Sequence, residues 1–106
     1  MDTHQTEQLG LDLDQAEAAL LADTFSALSD PTRVRIIAAL AAEECCVGDL
    51  AEALDLSLSA LSHQLAMLRR LRIVRARREG RHVFYSLDDD HIVTIFHCGL
   101  EHIQGF

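Results

Sequence analysis

The 106-residue sequence has no tryptophan, no lysine, one proline and five glycines. So little proline and glycine excludes collagen-like and low-complexity chains, and a hydrophobic content of 49% excludes intrinsic disorder. Aromatic residues make up only 5%, so the core has to be built from Leu, Ile, Val and Ala. No apolar run approaches the ~20 residues that a membrane span needs, and no membrane partner is expected. The three cysteines, Cys45, Cys46 and Cys98, are odd in number and two are adjacent, which does not suit a secreted disulfide framework. Residues 1–20 are acidic and lack the basic start of a signal peptide. The reducing cytoplasm is the expected compartment.

What is present is compact and helical in character. The length suffices for one domain with a modest core, and such a core gains from burying a second apolar surface in a dimer. The net charge of −8 argues at first against a nucleic-acid partner. Its distribution reverses that. Of nine arginines, seven lie between positions 69 and 81 (Arg69, Arg70, Arg72, Arg75, Arg77, Arg78 and Arg81), opposed there by Glu79 alone. Residues 1–32 hold seven acids and no base, and residues 88–106 hold four acids and no base. A dense arginine block on an acidic body suits phosphate, because the local field decides docking more than the total charge does; a solvated basic face has the same composition.

Along the chain, residues 1–12 read as a flexible tail and 13–106 as one domain. A helix is expected from about Asp14 to Leu28, with Leu21, Phe25 and Leu28 on one stripe. Asp30-Pro31 is a strong helix start, and Val34, Ile36, Ile37, Leu40 and Ala41 give the next helix a broad apolar face. After a connection at Glu43-Glu44-Cys45-Cys46 come a short helix at about Val47–Leu54, a turn at Asp55-Leu56, and a helix capped by Ser57 and running to about Arg70. Two helices so closely joined make a helix-turn-helix candidate. The runs Ile73–Arg78 and Arg81–Leu87, separated by Glu79-Gly80, read as a β-hairpin. A final helix is expected from about Asp89 to Gln104. The fold class is therefore mainly α with a β-hairpin wing, in the order α-α-α-α-β-β-α.

On a helical wheel for residues 57–70, Leu58, Leu61, Leu65 and Leu68 fall together and are expected to be buried. Ser59, Ser62, His63, Ala66 and Arg70 fall opposite, within roughly a third of the circumference. Small and hydrogen-bonding side chains on that face allow close entry into a major groove. Gln64 sits nearer the leucine side. In the hairpin, Arg77, Arg78 and Arg81 cluster at the tip, within reach of phosphates or a minor groove.

The segments Ala27-Leu28-Ser29-Asp30-Pro31-Thr32-Arg33, Cys46-Val47-Gly48-Asp49-Leu50-Ala51, Leu61-Ser62-His63-Gln64-Leu65 and Gly80-Arg81-His82-Val83-Phe84-Tyr85-Ser86-Leu87 resemble the ArsR/SmtB family of metal-responsive repressors. The resemblance covers residues 27 to about 103. It implies a winged helix-turn-helix homodimer, joined by its first and last helices, that binds an inverted-repeat DNA operator and releases it when an inducer binds. It also implies that Ser57, Ser59, Ser62 and His63 meet the DNA. Leu58 departs from the family pattern, where a polar residue is more usual, which bears on base preference.

The last helix carries Asp89-x-His91 and, eleven residues after His91, His102. Eleven residues is close to three turns, so both imidazoles share a face but stand roughly 16 Å apart along the axis. Ligands of one zinc lie about 2 Å from the ion, so one straight helix cannot supply both to a single metal. Two copies packed antiparallel about a two-fold axis can, and they create two equivalent sites. The family's interfacial site, an Asp-x-His near the start of this helix with a His near its end, is similar. Its usual fourth ligand falls on Gly105, leaving water, Glu101 or the carboxylate of Phe106 as substitutes. Oxygen and imidazole donors favour Zn(II), with Co(II) or Ni(II) as alternatives.

A second route to sensing uses thiols. Cys46 matches a position that some relatives use as a thiolate ligand with help from the N-terminal region, where His4 is the candidate. Adjacent Cys45 is poorly spaced to share an ion with it. Arsenite or oxidation at Cys45, Cys46 or Cys98 is the alternative trigger. An enzyme is not expected: Ser62 and His63 are neighbours facing different directions and cannot form a nucleophile–base pair.

Overall fold

Every helix start except that of the Val47–Leu54 helix is fixed by a side chain that takes up free N–H groups of the first turn. The computed structural model describes residues 12–105. Helix α1 (Gln15–Ala27) opens on a capping box, in which the Asp14 carboxylate accepts from the Glu17 N–H at 2.8 Å and Glu17 accepts from the Asp14 N–H at 3.3 Å. Helix α2 (Pro31–Ala42) opens on Asp30, which accepts from the Arg33 N–H at 3.0 Å, with Pro31 in the first position. There follow β1 (Cys45–Cys46), α3 (Val47–Leu54), α4 (Leu58–Arg70), β2 (Val74–Glu79), β3 (His82–Leu87) and α5 (Asp90–Gln104). The tail expected at 1–12 lies, apart from Asp12, outside the described residues, as do His4 and Phe106.

The winged helix-turn-helix architecture is as expected, with one addition. The connection before α3 is a short strand, so the sheet has three strands in the order β1-β3-β2. Cys45 pairs with Tyr85 and Cys46 with Phe84, antiparallel. Two residues are too few to display an alternating pattern, and the partner strand lies far along the chain, so nothing local marks β1. Strands β2 and β3 run in register from Val74 opposite Leu87 to Glu79 opposite His82. Gly80 closes their turn at φ 61°, where the absence of a Cβ removes the steric cost.

The core joins Ile36, Ile37 and Leu40 of α2 to Leu50 and Leu54 of α3, Leu61, Leu65 and Leu68 of α4, and Ile73, Val74 and Leu87 at the sheet. Leu61, Leu65 and Leu68 are buried as their spacing requires. Leu58 is not: it is 57% exposed. It stands at the first position of α4, one turn ahead of Leu61, beyond the elements that cover the later leucines.

Helices α1 and α5 are only half accounted for within one chain. Ala27 is the sole buried residue of α1, and α5 has none among its described residues. Leu20 and Phe25 of α1 and Ile103 of α5 lie largely in solvent. Between them runs an apolar groove of about 350 Å³, bordered by Phe25, Leu28, Ile92, Phe96 and Leu100. The Arg33 guanidinium ties α1 to α2, with Nε donating to the Ala27 carbonyl at 2.7 Å and an Nη to that of Ser26 at 3.2 Å. Those carbonyls lie at the end of α1, where the helical ladder runs out, and the Ser29 N–H also donates to the Ser26 carbonyl at 3.0 Å. An exposed apolar patch of this kind marks an association surface.

Candidate functional site

The helix-turn-helix is built by a left-handed residue and a serine cap. Asp55 ends α3 at φ 55°, and the Leu56 N–H returns to the Ala51 carbonyl at 2.9 Å. Ser57 then starts α4, its Oγ accepting from the Ala60 N–H at 3.0 Å. That cap occupies an acceptor site of the Ser57 hydroxyl and leaves its O–H free to donate to a phosphate. Helix α4 packs against α3 and β2 through its leucines. Its opposite face presents Ser59, Ser62, His63 and Ala66, all exposed, while Gln64 is half-buried as its flank position implies. Arg70 continues this face at the far end, where it borders a crevice with Leu20, Asp23 and Thr24 of α1. The structure therefore brings Ser57, Ser59, Ser62 and His63 together and sets Arg70 apart.

The wing holds one arginine in contacts that its sequence does not announce. Arg78 and Arg81 are exposed at the tip of the hairpin, as expected. Arg77 is otherwise engaged. Its guanidinium lies 2.7 Å from a carboxylate oxygen of Glu44, also bonds Glu79, and covers the Phe84 ring at 4.7 Å. The Nε of Arg77 donates to both Glu44 oxygens at 3.1 Å. Glu44 is held below the usual glutamate range by that hydrogen bond first, with the charges of Arg77 and Arg75 adding to it. Both carboxylates push the Arg77 pKa upward. Sequence reading missed this because Glu44 reaches Arg77 only through the β1–β3–β2 order of the sheet, and β1 carries no local signal.

At the other end of the chain, Asp89 is the N-cap of α5. One oxygen, Oδ1, accepts from the His91 N–H at 2.9 Å and the Ile92 N–H at 3.2 Å. The Ile92 bond, followed by those of His91, lowers the Asp89 pKa, so the group is a carboxylate well into mild acid. His91 is 92% exposed, with Nδ1 3.5 Å from the same Asp89 oxygen. His102 is exposed near the opposite end of the helix. Among the described residues, no three His, Cys, Asp or Glu side chains of one chain come together to hold a metal. One protomer thus carries donors of the right chemistry, a carboxylate and imidazoles, but only as two separated parts. Gly105 ends α5 at φ 83°, a left-handed C-cap. The position that bears a ligand in the resemblance is here given to helix termination. Glu101 is exposed one turn earlier.

The cysteines are placed in a strand rather than in a loop. Successive residues of a strand point to opposite faces, so the Cys45 and Cys46 thiols diverge and do not grip one ion within a protomer. Cys45 packs against the core. Burial first, then the neighbouring Cys46, Asp49 and Glu43, push its pKa up and keep it a thiol. Cys46 serves as the backbone N-cap of α3 with no side-chain cap bond. Cys98 is exposed on α5 and, by helical spacing, shares the face of His91 and His102.

A helix-turn-helix with an exposed, small and polar second helix beside a basic wing is the arrangement of a DNA-binding module. Comparison with known proteins agrees with it. The family described as bacterial regulatory protein, arsR family, matches residues 30–76. A transcriptional repressor SmtB homologue of Synechocystis is 49% identical over 94 residues, spanning 89% of this chain and 70% of that protein. The chain belongs to the ArsR family. A cadmium resistance transcriptional regulatory protein, a CadC homologue of Staphylococcus aureus, is 47% identical over 73 residues, 68% of this chain and 60% of that protein. Among solved structures, a homodimeric winged helix-turn-helix DNA-binding domain from Mycobacterium bovis superposes with a TM-score of 0.77 at 27% identity, covering 88% of this chain and 93% of that one. As an ArsR-family member the chain is a DNA-binding transcriptional regulator and not an enzyme. Among the described residues no helix is long and apolar enough to cross a membrane.

Proposed function

We propose that this ArsR-family chain is a homodimeric repressor that binds an inverted-repeat operator in its metal-free form and releases it when a divalent ion, Zn(II) foremost, binds between the protomers. Each site takes Asp89 and His91 from one protomer and His102 of the partner subunit. Co(II) and Ni(II) suit the same donors. The observation that carries this reading is the state of α5: it bears both imidazoles, buries none of its described residues, and lies beside an apolar groove. A helix this exposed needs a partner surface, and an antiparallel second copy supplies it while completing the ligand set.

The free Oδ2 of Asp89 supports the ligand role, because the cap consumes only Oδ1. Docked on DNA, the dimer places Ser57, Ser59, Ser62 and His63 of each α4 in successive major grooves, with Arg78 and Arg81 of each wing on the flanking backbone. An ion shared across the interface changes how the subunits sit, and with it the spacing of the two α4 helices. Arsenite or redox sensing at Cys45, Cys46 or Cys98 has weaker support, since the Cys45 and Cys46 thiols diverge and Cys45 is held protonated.

Fluorescence anisotropy of an inverted-repeat duplex tests the proposal. Metal-free protein binds it, Zn(II) weakens binding, and His102→Ala abolishes that response without abolishing DNA binding. A response to arsenite that survives in His102→Ala would move the trigger to the cysteines.

A further inference from the structure

Seven large hydrophobic residues are exposed among the described residues: Leu13, Leu20, Leu21, Phe25, Val34, Leu58 and Ile103. Six of them lie on or beside α1, the start of α2 and the end of α5, and Phe25, Val34 and Ile103 line the apolar groove that a second copy would cover. Leu58 does not. It stands alone on the opposite functional surface, at the first position of α4, 57% exposed and flanked by Ser57 and Ser59. Leu58 lies at the edge of the leucine stripe, and Ser62, one turn on, is its neighbour on the adjoining polar face. A large aliphatic side chain held in water among serines has no role in this chain's core or on its apolar groove.

We propose that Leu58 is a specificity-determining residue that packs on the 5-methyl group of a thymine in each half-site. The inference rests on the docking of α4 in the major groove proposed above. The first residues of a recognition helix are those that meet base edges. Leucine has no donor or acceptor, so it cannot read the polar pattern of a base pair. The thymine methyl is the one apolar feature the major groove displays, and apolar side chains contact it. The small Ser59, Ser62 and Ala66 around and beyond Leu58 let the helix approach closely enough for that contact.

The test uses a duplex selected by the wild-type protein from a randomised pool, measured by anisotropy with each thymine replaced in turn by deoxyuridine, which lacks only the methyl. We expect one thymine per half-site whose replacement weakens wild-type binding about fourfold, the worth of one methylene-sized group removed from water. Replacing both should weaken it about fifteenfold, the product of two such steps. Leu58→Ser, with unchanged circular dichroism, should bind the thymine and uracil duplexes equally. Wild-type protein indifferent to every replacement, or a Leu58→Ser variant that still discriminates, overturns the assignment. His63→Ala and Arg81→Gln separate the two layers of the argument. If both weaken binding while uracil changes nothing, the docking stands and the role of Leu58 fails. If neither weakens binding, the docking fails and the role of Leu58 falls with it.

Discussion

Arg77 on β2 and Glu44 ahead of β1 are joined by a guanidinium–carboxylate contact of 2.7 Å that links the two outer strands of the sheet. Together with Glu79 and the Phe84 ring, this contact makes Arg77 a brace for the wing, and we propose that it keeps Arg77 out of the phosphate-binding set. The Glu44 carboxylate, held below its ordinary range, keeps the brace charged as pH falls; the contact is lost only when pH drops through that lowered value. Both groups are substantially exposed, so the pair acts through geometry more than through stability.

The brace separates two kinds of arginine by salt dependence. Each phosphate neutralised adds about 0.9 to the slope of log affinity against log salt. Arg81→Gln removes one contact from each protomer and should lower that slope by about two for a dimer. Arg77→Gln should weaken binding modestly, because the wing loses its brace, but leave the slope nearly unchanged. Titrations at several salt concentrations distinguish them. An equal loss of slope in both variants would return Arg77 to the phosphate-binding set.

Much of this was legible in the residues because the informative signals are local. Asp30-Pro31 and Ser57 mark helix starts by a capping chemistry that needs no tertiary information, and both cap as the sequence implies. The periodicity of Leu61, Leu65 and Leu68 identifies the buried face of α4 for the same reason. What escaped depends on contacts made across the fold. Strand β1 exists only by pairing with β3, and Glu44 finds Arg77 only once that pairing is made. Leu58 obeys the periodicity of its helix yet stays exposed, because the wheel shows direction and not whether anything lies there. The ligand set proposed on α5 rests on spacing alone, since two imidazoles three turns apart meet at one ion only if a second helix runs alongside.

Asp89 caps α5 and, in the proposed site, also ligates the ion, and substitutions can part the two. Asparagine caps a helix about as well as aspartate, whereas alanine does not. Asp89→Asn should therefore melt close to wild type but bind Zn(II) at least tenfold more weakly, having lost the ligating charge. Asp89→Ala should lose both, with a lower melting temperature and weak metal binding. Paired thermal melts and competition titrations with a metal chelator report the two effects. Wild-type affinity in Asp89→Asn would remove the residue from the metal site.

Arg72 carries the left-handed conformation without the residue best suited to it. It follows α4 at φ 59°, donates its N–H to the Arg69 carbonyl at 3.0 Å, and lets the Ile73 N–H reach the Leu68 carbonyl at 2.9 Å. This is a helix C-terminus that glycine satisfies without a Cβ penalty. Arg72→Gly should stabilise the fold by about 0.5–1 kcal/mol, the left-handed cost of an L-residue less the extra chain entropy of glycine. Thermal unfolding at fixed protein concentration and without DNA should show a rise of a few degrees; a fall would mean that the Arg72 side chain contributes contacts outweighing its backbone cost.

The raised pKa of Cys45 has a direct chemical consequence. Thiolate is the reactive form, and a pKa moved upward lowers its fraction at neutral pH. Cys45 should react with iodoacetamide more slowly than free cysteine at pH 7, and its rate should go on climbing with pH after that of a free thiol has levelled off. Peptide mass spectrometry of a timed alkylation resolves Cys45 from the exposed Cys98. Fast labelling of Cys45 at neutral pH would restore the thiol trigger as a competitor.

A metal site shared between protomers, as proposed, makes a demand that no site within one chain would make. Consider one variant lacking Asp89 and His91, both replaced by Ala, and another with His102→Ala. Alone, each forms dimers with no complete site. When subunits of the two are exchanged, the mixed dimer has one site in which both halves are damaged. Its other site joins the intact Asp89 and His91 of one protomer to the intact His102 of the partner subunit. Mixing should therefore restore binding of one Zn(II) per mixed dimer, and with it part of the metal-driven release of DNA. If each chain held its own metal, every site in the mixed dimer would still lack a ligand and mixing would restore nothing. Zinc stoichiometry before and after exchange of differently tagged subunits decides between these outcomes.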